Sequence, residues 1–285
     1  METETFQSNQ KEMKWLNTLL PLILFLLFQP LFCSGTSLSR KTPGINLPKT
    51  EILQFIYTEG VDLQQVIDKA PKHSTIICNR NRQLTIAVPI IINKPLTLKG
   101  LNARLPENLG NSSILEVQSK GVAITDFELQ GNAATVHRSE RAALIKVFFG
   151  DFRIERGFVE NSSKEGIEVD QQEFQELIDG GTIRDIVGRG CVRDVISLGG
   201  PAGPEPHIRN VLLENIRGYN SSLRGPVEVS DGCVNITVRK IYAENCSYAI
   251  DLQDHNKQEI NRHVLIDDVY ALHCNHAIRT GNHPN

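Results

Sequence analysis

Six polar residues near the C-terminal end of the sequence have the types and spacing of an acid–base site. The candidate catalytic residues are Asp231, Asp251 and Asp254. The candidate substrate-binding residues are Glu228, His255 and Arg279. Two carboxyl groups held about 5–9.5 Å apart can act as acid and base, because the charge of one raises the pKa of the other. Arg279 could hold a carboxylate through two hydrogen bonds, and no metal site is predicted from these residues.

A second interpretation of the same residues involves no chemistry. Exposed faces of β-sheets carry charged side chains, and opposite charges on neighbouring strands attract one another. Glu228, Asp251 and Arg279 would then form a ladder of surface charges. Both interpretations require residues that are far apart in the sequence to become neighbours in space.

A sequence repeat can bring these residues together. Its template has apolar residues at the first, third and sixth positions and a turn residue at the tenth. The segments that match it begin at Val122, Phe152, Gly181, Val211, Ile236 and Val264. Repetition every 25–30 residues, with many β-branched side chains, is typical of a solenoid built from strands.

A second set of strand-like segments lies upstream of the templates. Each has a mostly polar residue between two mostly apolar ones. The central residues are Glu116, Lys146, Glu168, Ser197, Glu228, Asp251 and Arg279. Alternation of this kind indicates a strand with one buried face and one solvent-facing side. We therefore predict an all-β, right-handed parallel β-helix in which the central residues form one outward column, with coils about 4.8 Å apart.

The turn position of the template favours small or amide side chains. Its residues are Gly131, Asn161, Gly190, Asn220, Asn245 and His273. Glycine and asparagine tolerate the left-handed backbone of a sharp bend, and stacked asparagines can hydrogen-bond between coils. Three of these asparagines also match the glycosylation pattern, which the fold explains better than glycans do.

The N-terminal part of the chain divides into three segments. Residues 1–35 have the features of a secretory signal peptide, with Lys11 and Lys14 before an apolar run from Trp15 to Phe32. A transmembrane segment and a lipoprotein site at Cys33 are the alternatives. Residues 36–59 are predicted to be a linker. We expect a secreted or cell-surface protein that is not an integral membrane protein after signal removal.

Residues 60–285 are assigned to the β-helix, whose two ends differ. Asp62 can cap a short helix that has Leu63, Val66 and Ile67 on one face, so we expect a capping helix at the N-terminal end. The sequence stops soon after the strand containing Ile278. We therefore expect it to be truncated at the C-terminus, or another chain to cover this end.

The cysteines and the net charge limit the alternatives further. Cys191, Cys246 and Cys274 all lie ten residues after the start of a template. Cys246 and Cys274 could form a disulfide between adjacent coils, or could be two stacked reduced thiols. No cysteine pair has the spacing of a zinc site. The net charge of −3 gives no support for a nucleic-acid partner.

The sequence resembles the pectate-lyase-like superfamily of right-handed parallel β-helices over roughly residues 60–285. The resemblance is carried by the capping helix, the opening STIICN…LTIAVPIIINKPLTLKG and the repeated NVLLENI, NITVRKI and HVLIDDV segments. It implies a secreted protein that acts on polysaccharide, often an acidic one. The group most like it is the polygalacturonase-type hydrolases, whose Asn-Thr-Asp, Gly-His-Gly and Arg-Ile-Lys motifs are absent from this sequence.

Two functions are consistent with these observations. The first is a secreted carbohydrate-active enzyme, a polysaccharide hydrolase or lyase that acts in a groove on the strand face. Calcium would be the expected cofactor of a lyase, and the sequence specifies no other. The second is a non-catalytic β-helix that binds glycan or serves a structural role at the cell surface.

Overall fold

The computed structural model describes residues 53–58, 60–170, 174, 176–199, 207–254 and 260–281. All of these belong to one compact unit, Thr50–Asn285. The predicted signal peptide, Cys33 and His255 lie outside the described residues, so export stays a prediction. Among the residues described, no helix has the length and apolar character needed to span a membrane.

The described chain is built almost entirely from strands. Helix α1 spans Leu63–Lys69, and a single 3₁₀ turn spans Arg138–Glu140. The strands of the first half are β1 Gln54–Ile56, β2 Thr75–Ile77, β3 Gln83–Thr85, β4 Ile90–Ile92, β5 Thr97–Lys99, β6 Asn102–Arg104, β7 Leu115–Val117, β8 Ala123–Thr125, β9 Glu128–Gln130 and β10 Ile145–Val147. Those of the second half are β11 Phe152–Glu160, β12 Ile167–Asp170, β13 Ile178–Arg189, β14 Ile196–Gly199, β15 Ile208–Tyr219, β16 Val227–Ser230, β17 Cys233–Glu244, β18 Tyr248–Gln253, β19 Arg262–Leu272 and β20 His276–Gly281.

These strands form two parallel sheets. Sheet A has the order β1-β2-β5-β8-β11-β13-β15-β17-β19, with β3, β6 and β9 alongside it. Sheet B has the order β4-β7-β10-β12-β14-β16-β18-β20. From β10 onwards, successive strands alternate between the two sheets, so the chain winds as the predicted parallel β-helix. Because β1 pairs with β2, the β-helix begins within the segment predicted to be a linker.

The predicted register is confirmed in sheet A. The third residues of the six templates are successive partners along the sheet: Ile124, Ile154, Ile183, Leu213, Val238 and Ile266. The first four side chains and Val238 are almost completely buried, and they belong to one continuous core. Close packing of β-branched and leucine side chains between the two sheets therefore stabilises the coils.

The turn residues behave as predicted at most positions. Asn161, Asn220 and Asn245 have left-handed backbones, with φ of 53°, 56° and 53°. The Asn245 side chain donates a hydrogen bond of 3.2 Å to the Asn220 side-chain oxygen in the preceding coil. Gly131 is needed for a different reason, because a Cβ there would lie 2.4 Å from the Asn161 carbonyl oxygen.

Helix α1 covers the N-terminal end, as predicted. The Asp62 side chain accepts a hydrogen bond of 2.8 Å from the Gln64 backbone N–H, and Leu63 and Ile67 are buried. The Gln64 side chain also bonds both the N–H and the carbonyl of Ile91 in β4, at 2.7 and 3.0 Å. The first strand of sheet B therefore has polar partners on its outer edge, which would otherwise be unpaired.

The last described coil is less enclosed. Val264, Ile266 and Val269 pack against the core but remain half-buried. Truncation of the chain stays a prediction. Cys246 and Cys274 lie in adjacent coils as free thiols, like the other cysteines that the structure describes. The disulfide between them stays a prediction.

Candidate active site

Sheet B carries three columns of polar side chains that cross its central strands. Their positions are defined by the paired apolar residues Ile167, Ile196, Val227 and Ile250. The first column lies three residues before them and contains Lys164, Arg193 and Arg224. The second lies two residues before them and contains Glu165, Asp194, Gly225 and Tyr248. The third follows them directly and contains Glu168, Ser197, Glu228 and Asp251.

Three carboxylates of these columns converge beneath the surface. One oxygen each of Glu165, Asp194 and Glu228 lies within 4.8 Å of the others. We call these residues the carboxylate cluster. They are 1%, 0% and 1% exposed, so water reaches none of them freely. Burial of three acidic groups is costly unless protons or positive charges compensate them.

The residues of the first column provide the positive charge. Arg193 bridges two members of the cluster, with Nη1 3.0 Å from Glu165 Oε1 and Nη2 3.4 Å from Glu228 Oε2. Arg224 Nη1 contacts Glu228 Oε1 and lies 3.4 Å from Asp194 Oδ2. Lys164 Nζ contacts Glu168 and lies 3.4 Å from Glu165 Oε2. The basic side chains therefore lie between the cluster and solvent.

Asp194 is held from the opposite side by a tyrosine. The Tyr248 hydroxyl donates a hydrogen bond of 2.8 Å to Asp194 Oδ1 across the intervening coil. Gly225 of that coil makes this reach feasible, because a Cβ there would lie 1.9 Å from the Tyr248 carbonyl oxygen and 2.7 Å from its ring. Any larger residue would displace the ring, so glycine at 225 positions the tyrosine and, through it, Asp194.

The protonation states within the cluster differ. Burial, followed by the negative charge of Glu228, raises the pKa of Asp194 well above its ordinary value. Burial and the neighbouring Glu168 raise the pKa of Glu165 to about 7. Burial also acts to raise the pKa of Glu228, but the charges of Arg224 and Arg193 and the Ser197 hydrogen bond hold it below its ordinary value. The two shifts are therefore opposite in direction: the site favours the protonated form of Asp194 and the ionised form of Glu228.

A cavity of about 340 Å³ opens above the first column. Its lining residues are Arg138, Arg141, Lys164, Arg193, Leu223 and Arg224. We call it the basic cavity. Five of its six lining residues are cationic, which makes it a site suited to anionic or hydrogen-bond-accepting ligands. The side chains of Lys164, Arg193 and Arg224 connect this cavity to the carboxylate cluster.

For the predicted outward column of central residues, the strand partners are confirmed but the exposure to solvent is not. Glu228 and Asp251 are partners in adjacent coils, and Arg279 is the partner of Asp251. The prediction that they face solvent is wrong, because Glu228 is 1% exposed and Asp251 is 0% exposed. Side chains of Arg224 and Arg279 lie over them. Glu168, in contrast, is half-buried in the same column.

Asp251 and Arg279 form a pair rather than an acid beside a free cation. Arg279 Nε donates 2.9 Å to Asp251 Oδ1, and its Nη2 donates to Oδ2. The guanidinium also lies over the Tyr248 ring, 4.6 Å from its centroid. A bidentate pair with a stacked guanidinium fixes Tyr248, which in turn contacts Asp194.

Asp231 and Asp254 lie at the opposite end of the same strands. The Asp231 backbone N–H donates 3.2 Å to the Gln253 carbonyl, which places the two aspartates in adjacent coils. Asp254 Oδ1 accepts a hydrogen bond of 3.0 Å from the Asn261 backbone. Asp231 directly follows β16 and Asp254 directly follows β18, each three residues after Glu228 or Asp251 of that strand. The catalytic role of Asp231, Asp251 and Asp254 stays a prediction.

Glu165, Asp194 and the basic residues above them were not predicted from the sequence. The signal that could have identified them is a basic residue three positions before the paired apolar residue in three consecutive coils. It is seen in the segments KEGIEV, RDVISL and RGPVEV. Arg138 and Arg141 carry no comparable signal, because they lie in a connection that occurs in one coil only.

Comparison with known proteins gives a likeness of fold. No family model matches the sequence, and no curated protein does. The structure is similar to that of the catalytic domain of a GH87 alpha-1,3-glucanase variant in complex with nigerose, with a TM-score of 0.56 and 11% identity. A second glucanase structure with nigerose has a TM-score of 0.51 and 13% identity. The match covers 77% of this chain and 45% of the glucanase chain in both cases.

The A-module of the mannuronan C-5 epimerase AlgE6 from Azotobacter vinelandii is a more distant match. Its TM-score is 0.41 at 14% identity, and the match covers 71% of this chain and 74% of that one. The two glucanase structures alone support the likeness of fold, and the match spans less than half the length of the glucanase chains.

Proposed function

We propose that this chain is a carbohydrate-active β-helix enzyme that hydrolyses a polysaccharide at the carboxylate cluster. The observation that carries the proposal is the pair of opposite pKa shifts at Asp194 and Glu228, whose oxygens lie within 4.8 Å of one another. A group kept protonated beside a group kept ionised is the arrangement that glycoside hydrolysis requires. Asp194 is the proposed general acid, which protonates the glycosidic oxygen as its bond to the anomeric carbon breaks. Glu228 is the proposed carboxylate that stabilises the positive charge on the sugar until water adds to that carbon and returns a proton to Asp194.

The fold likeness supports the same class of substrate. The glucanase structures with which the chain shares its fold are catalytic domains in complex with nigerose. Their low identity carries no information on which bond this chain would cleave. The choice of hydrolysis over elimination therefore rests on the cluster itself, where the acid and the ionised carboxylate are both present.

The basic residues above the cluster must move for a sugar to reach Asp194. The Arg224–Asp194 and Arg193–Glu228 contacts are both 3.4 Å, at the long end of the range for hydrogen bonds. Outward movement would also break the closer contacts of Arg224 with Glu228 and of Arg193 with Glu165, the latter at 3.0 Å. The arginine side chains are 22% and 28% exposed, so they can turn outward without crossing the core. A hydroxyl or carboxylate of the substrate would replace the lost contacts.

A second candidate function is glycan binding without cleavage. The observation that favours it is the complete burial of Asp194. If Arg224 and Arg193 never turn outward, the cluster serves only to orient the basic residues, and the cavity is a binding site. This is the non-catalytic β-helix that the sequence also permits.

One experiment separates the two candidates. The wild-type protein, Asp194→Asn and Asp231→Asn are incubated with a panel of neutral and acidic polysaccharides, with and without a chelator. New reducing ends and unsaturated products are measured. We expect wild type and Asp231→Asn to release reducing ends at similar rates, and Asp194→Asn to be slower by about 10²–10⁴-fold, the contribution of a general acid.

The other outcomes have clear meanings. Binding without any product from wild type would contradict hydrolysis and support the second candidate. Unsaturated products that disappear with the chelator would indicate a calcium-dependent lyase instead. Loss of activity in Asp231→Asn but not in Asp194→Asn would move the site to the opposite end of the strands.

A further inference from the structure

Two arginines of the basic cavity differ from the other three basic residues. Arg138 and Arg141 lie in the connection between β9 and β10, at the 3₁₀ turn Arg138–Glu140. Neither forms an ion pair with any carboxylate in the described part of the chain. The Nε of Arg141 is buried and has no hydrogen-bond partner; the Nε of Arg193 in the same cavity is also unpartnered, but its two Nη atoms contact carboxylates. A buried guanidinium N–H that lacks a partner is unfavourable unless a ligand satisfies it.

The other three basic residues are already compensated. Lys164 contacts Glu165 and Glu168, and Arg193 contacts Glu165 and Glu228. Arg224 contacts Glu228 and lies near Asp194. These cations are therefore matched by the carboxylates beneath them. No carboxylate among the described residues forms an ion pair with Arg138 or Arg141 at the mouth of the cavity.

Taking the ligand to be a saccharide, as the proposed function does, we propose that Arg138 and Arg141 bind an anionic group of the polysaccharide. The group is the carboxylate of a uronate or the sulfate ester of a sulfated sugar, since both present oxygens that a planar guanidinium can bind in pairs. The cavity of about 340 Å³ has room for one sugar unit at this position. The substrate class is thus an anionic polysaccharide, and a neutral glucan lacks the group that these arginines bind.

The experiment measures binding, so that it does not depend on cleavage. Full-length protein is titrated calorimetrically with polygalacturonate, a sulfated galactan and a neutral α-glucan, at about 0.05 M and about 0.5 M salt. The test variant is the double substitution Arg138→Gln and Arg141→Gln. The control is Arg217→Gln, which removes an exposed arginine from β15 in sheet A. Thermal melting of each variant verifies that it is folded.

We expect wild type and Arg217→Gln to bind one of the two anionic polymers and not the neutral glucan. Binding should weaken at high salt, because the contact is between charges. The double variant should bind at least about tenfold more weakly, the effect of losing one or more hydrogen bonds to a charged group. Preference for polygalacturonate identifies a carboxylate as the ligand group, and preference for the galactan identifies a sulfate.

Three results would overturn the proposal. These are equal affinity of the double variant and wild type, binding of the neutral glucan as tight as that of the anionic polymers, and no binding of either anionic polymer. Failure of the proposed hydrolysis is a separate result. In that case the wild-type protein would bind the anionic polymer and the double substitution would weaken this binding, but the wild-type protein would release no product.

Discussion

Replacing Glu228 and Asp194 one at a time by their amides tests the protonation states on which the site depends. Glutamine at 228 removes the negative charge that faces Arg224 and Arg193. Asparagine at 194 resembles the neutral acid, because it keeps an oxygen that can accept from the Tyr248 hydroxyl. Both changes preserve side-chain size, so packing differs little between the two variants.

The expected costs follow from burial and from the partners that remain. Removing one member of a buried ion pair costs about 3–5 kcal/mol. Arg193 keeps Glu165, whereas Arg224 keeps only the neutral Asp194. Because the two arginine side chains are 28% and 22% exposed, water compensates part of the lost interaction, and the cost for Glu228→Gln should be lower, about 2–3 kcal/mol. Asp194→Asn should change the free energy of unfolding by less than about 1 kcal/mol, because a neutral group replaces a neutral group.

Urea unfolding at neutral pH measures both values. In thermal melting, Glu228→Gln should lower the Tm by about 5–10 °C, and Asp194→Asn should shift it by no more than about 3 °C. If Asp194→Asn destabilises the protein as much as Glu228→Gln does, Asp194 is ionised in the folded state. The reasoning that makes it a general acid would then be refuted.

Three further predictions concern pH, core packing and the turn column. Folding raises the pKa of Glu165 from 4.5 to about 7, so the folded state binds this proton more tightly than the unfolded state does. The free energy of unfolding should therefore fall by about 3 kcal/mol as the pH rises from 4.5 to 7 and above. The fall of Tm with pH should be clearly smaller in Glu165→Gln than in wild type, and the same dependence of Tm on pH in both would contradict the shift. Gly157→Ala places a Cβ 2.0 Å from the Phe127 ring, so it should destabilise the folded protein by about 1–3 kcal/mol. Adding Phe127→Leu should restore part of the lost stability, and no restoration would mean that the strain lies in the backbone and not in the ring. Asn220→Ala should lower the free energy of unfolding in urea by about 1–2 kcal/mol, because it strains a left-handed residue and removes the hydrogen bond from Asn245. Asn220→Gly removes the same hydrogen bond without the strain and should cost less. Equal costs of the two variants would assign the whole effect to the lost hydrogen bond.

The fold could be predicted from the sequence because a parallel β-helix repeats its local rules in every coil. Positions such as Ile183 and Leu213 have the same environment one period apart, so a single template locates them all. Turn residues such as Asn220 are predictable for the same reason. The cap at Asp62 follows from short-range helix rules and needs no knowledge of the rest of the chain.

The site could be predicted less well, because it depends on contacts that do not repeat. The register correctly placed Glu228 beside Asp251, but alternation in a strand cannot show that Arg224 lies over one and Arg279 over the other. Burial of polar side chains by other polar side chains leaves no apolar pattern in the sequence. Tyr248 reaches Asp194 across another coil only because residue 225 is glycine. This contact depends on three different residues in three coils, so a template that expects the same residue type in every coil cannot predict it.

The most direct test of the central claim is the infrared spectrum of the carboxylic acid groups at about pH 8, where Glu165, with a pKa of about 7, is mostly ionised. A protonated Asp194 predicts a carbonyl-stretch band of a buried, protonated acid in the wild-type protein. The band should remain in Glu165→Gln and be absent from Asp194→Asn. Its absence from the wild-type spectrum, or its persistence in Asp194→Asn, would contradict the assignment of Asp194 as the protonated acid of the site.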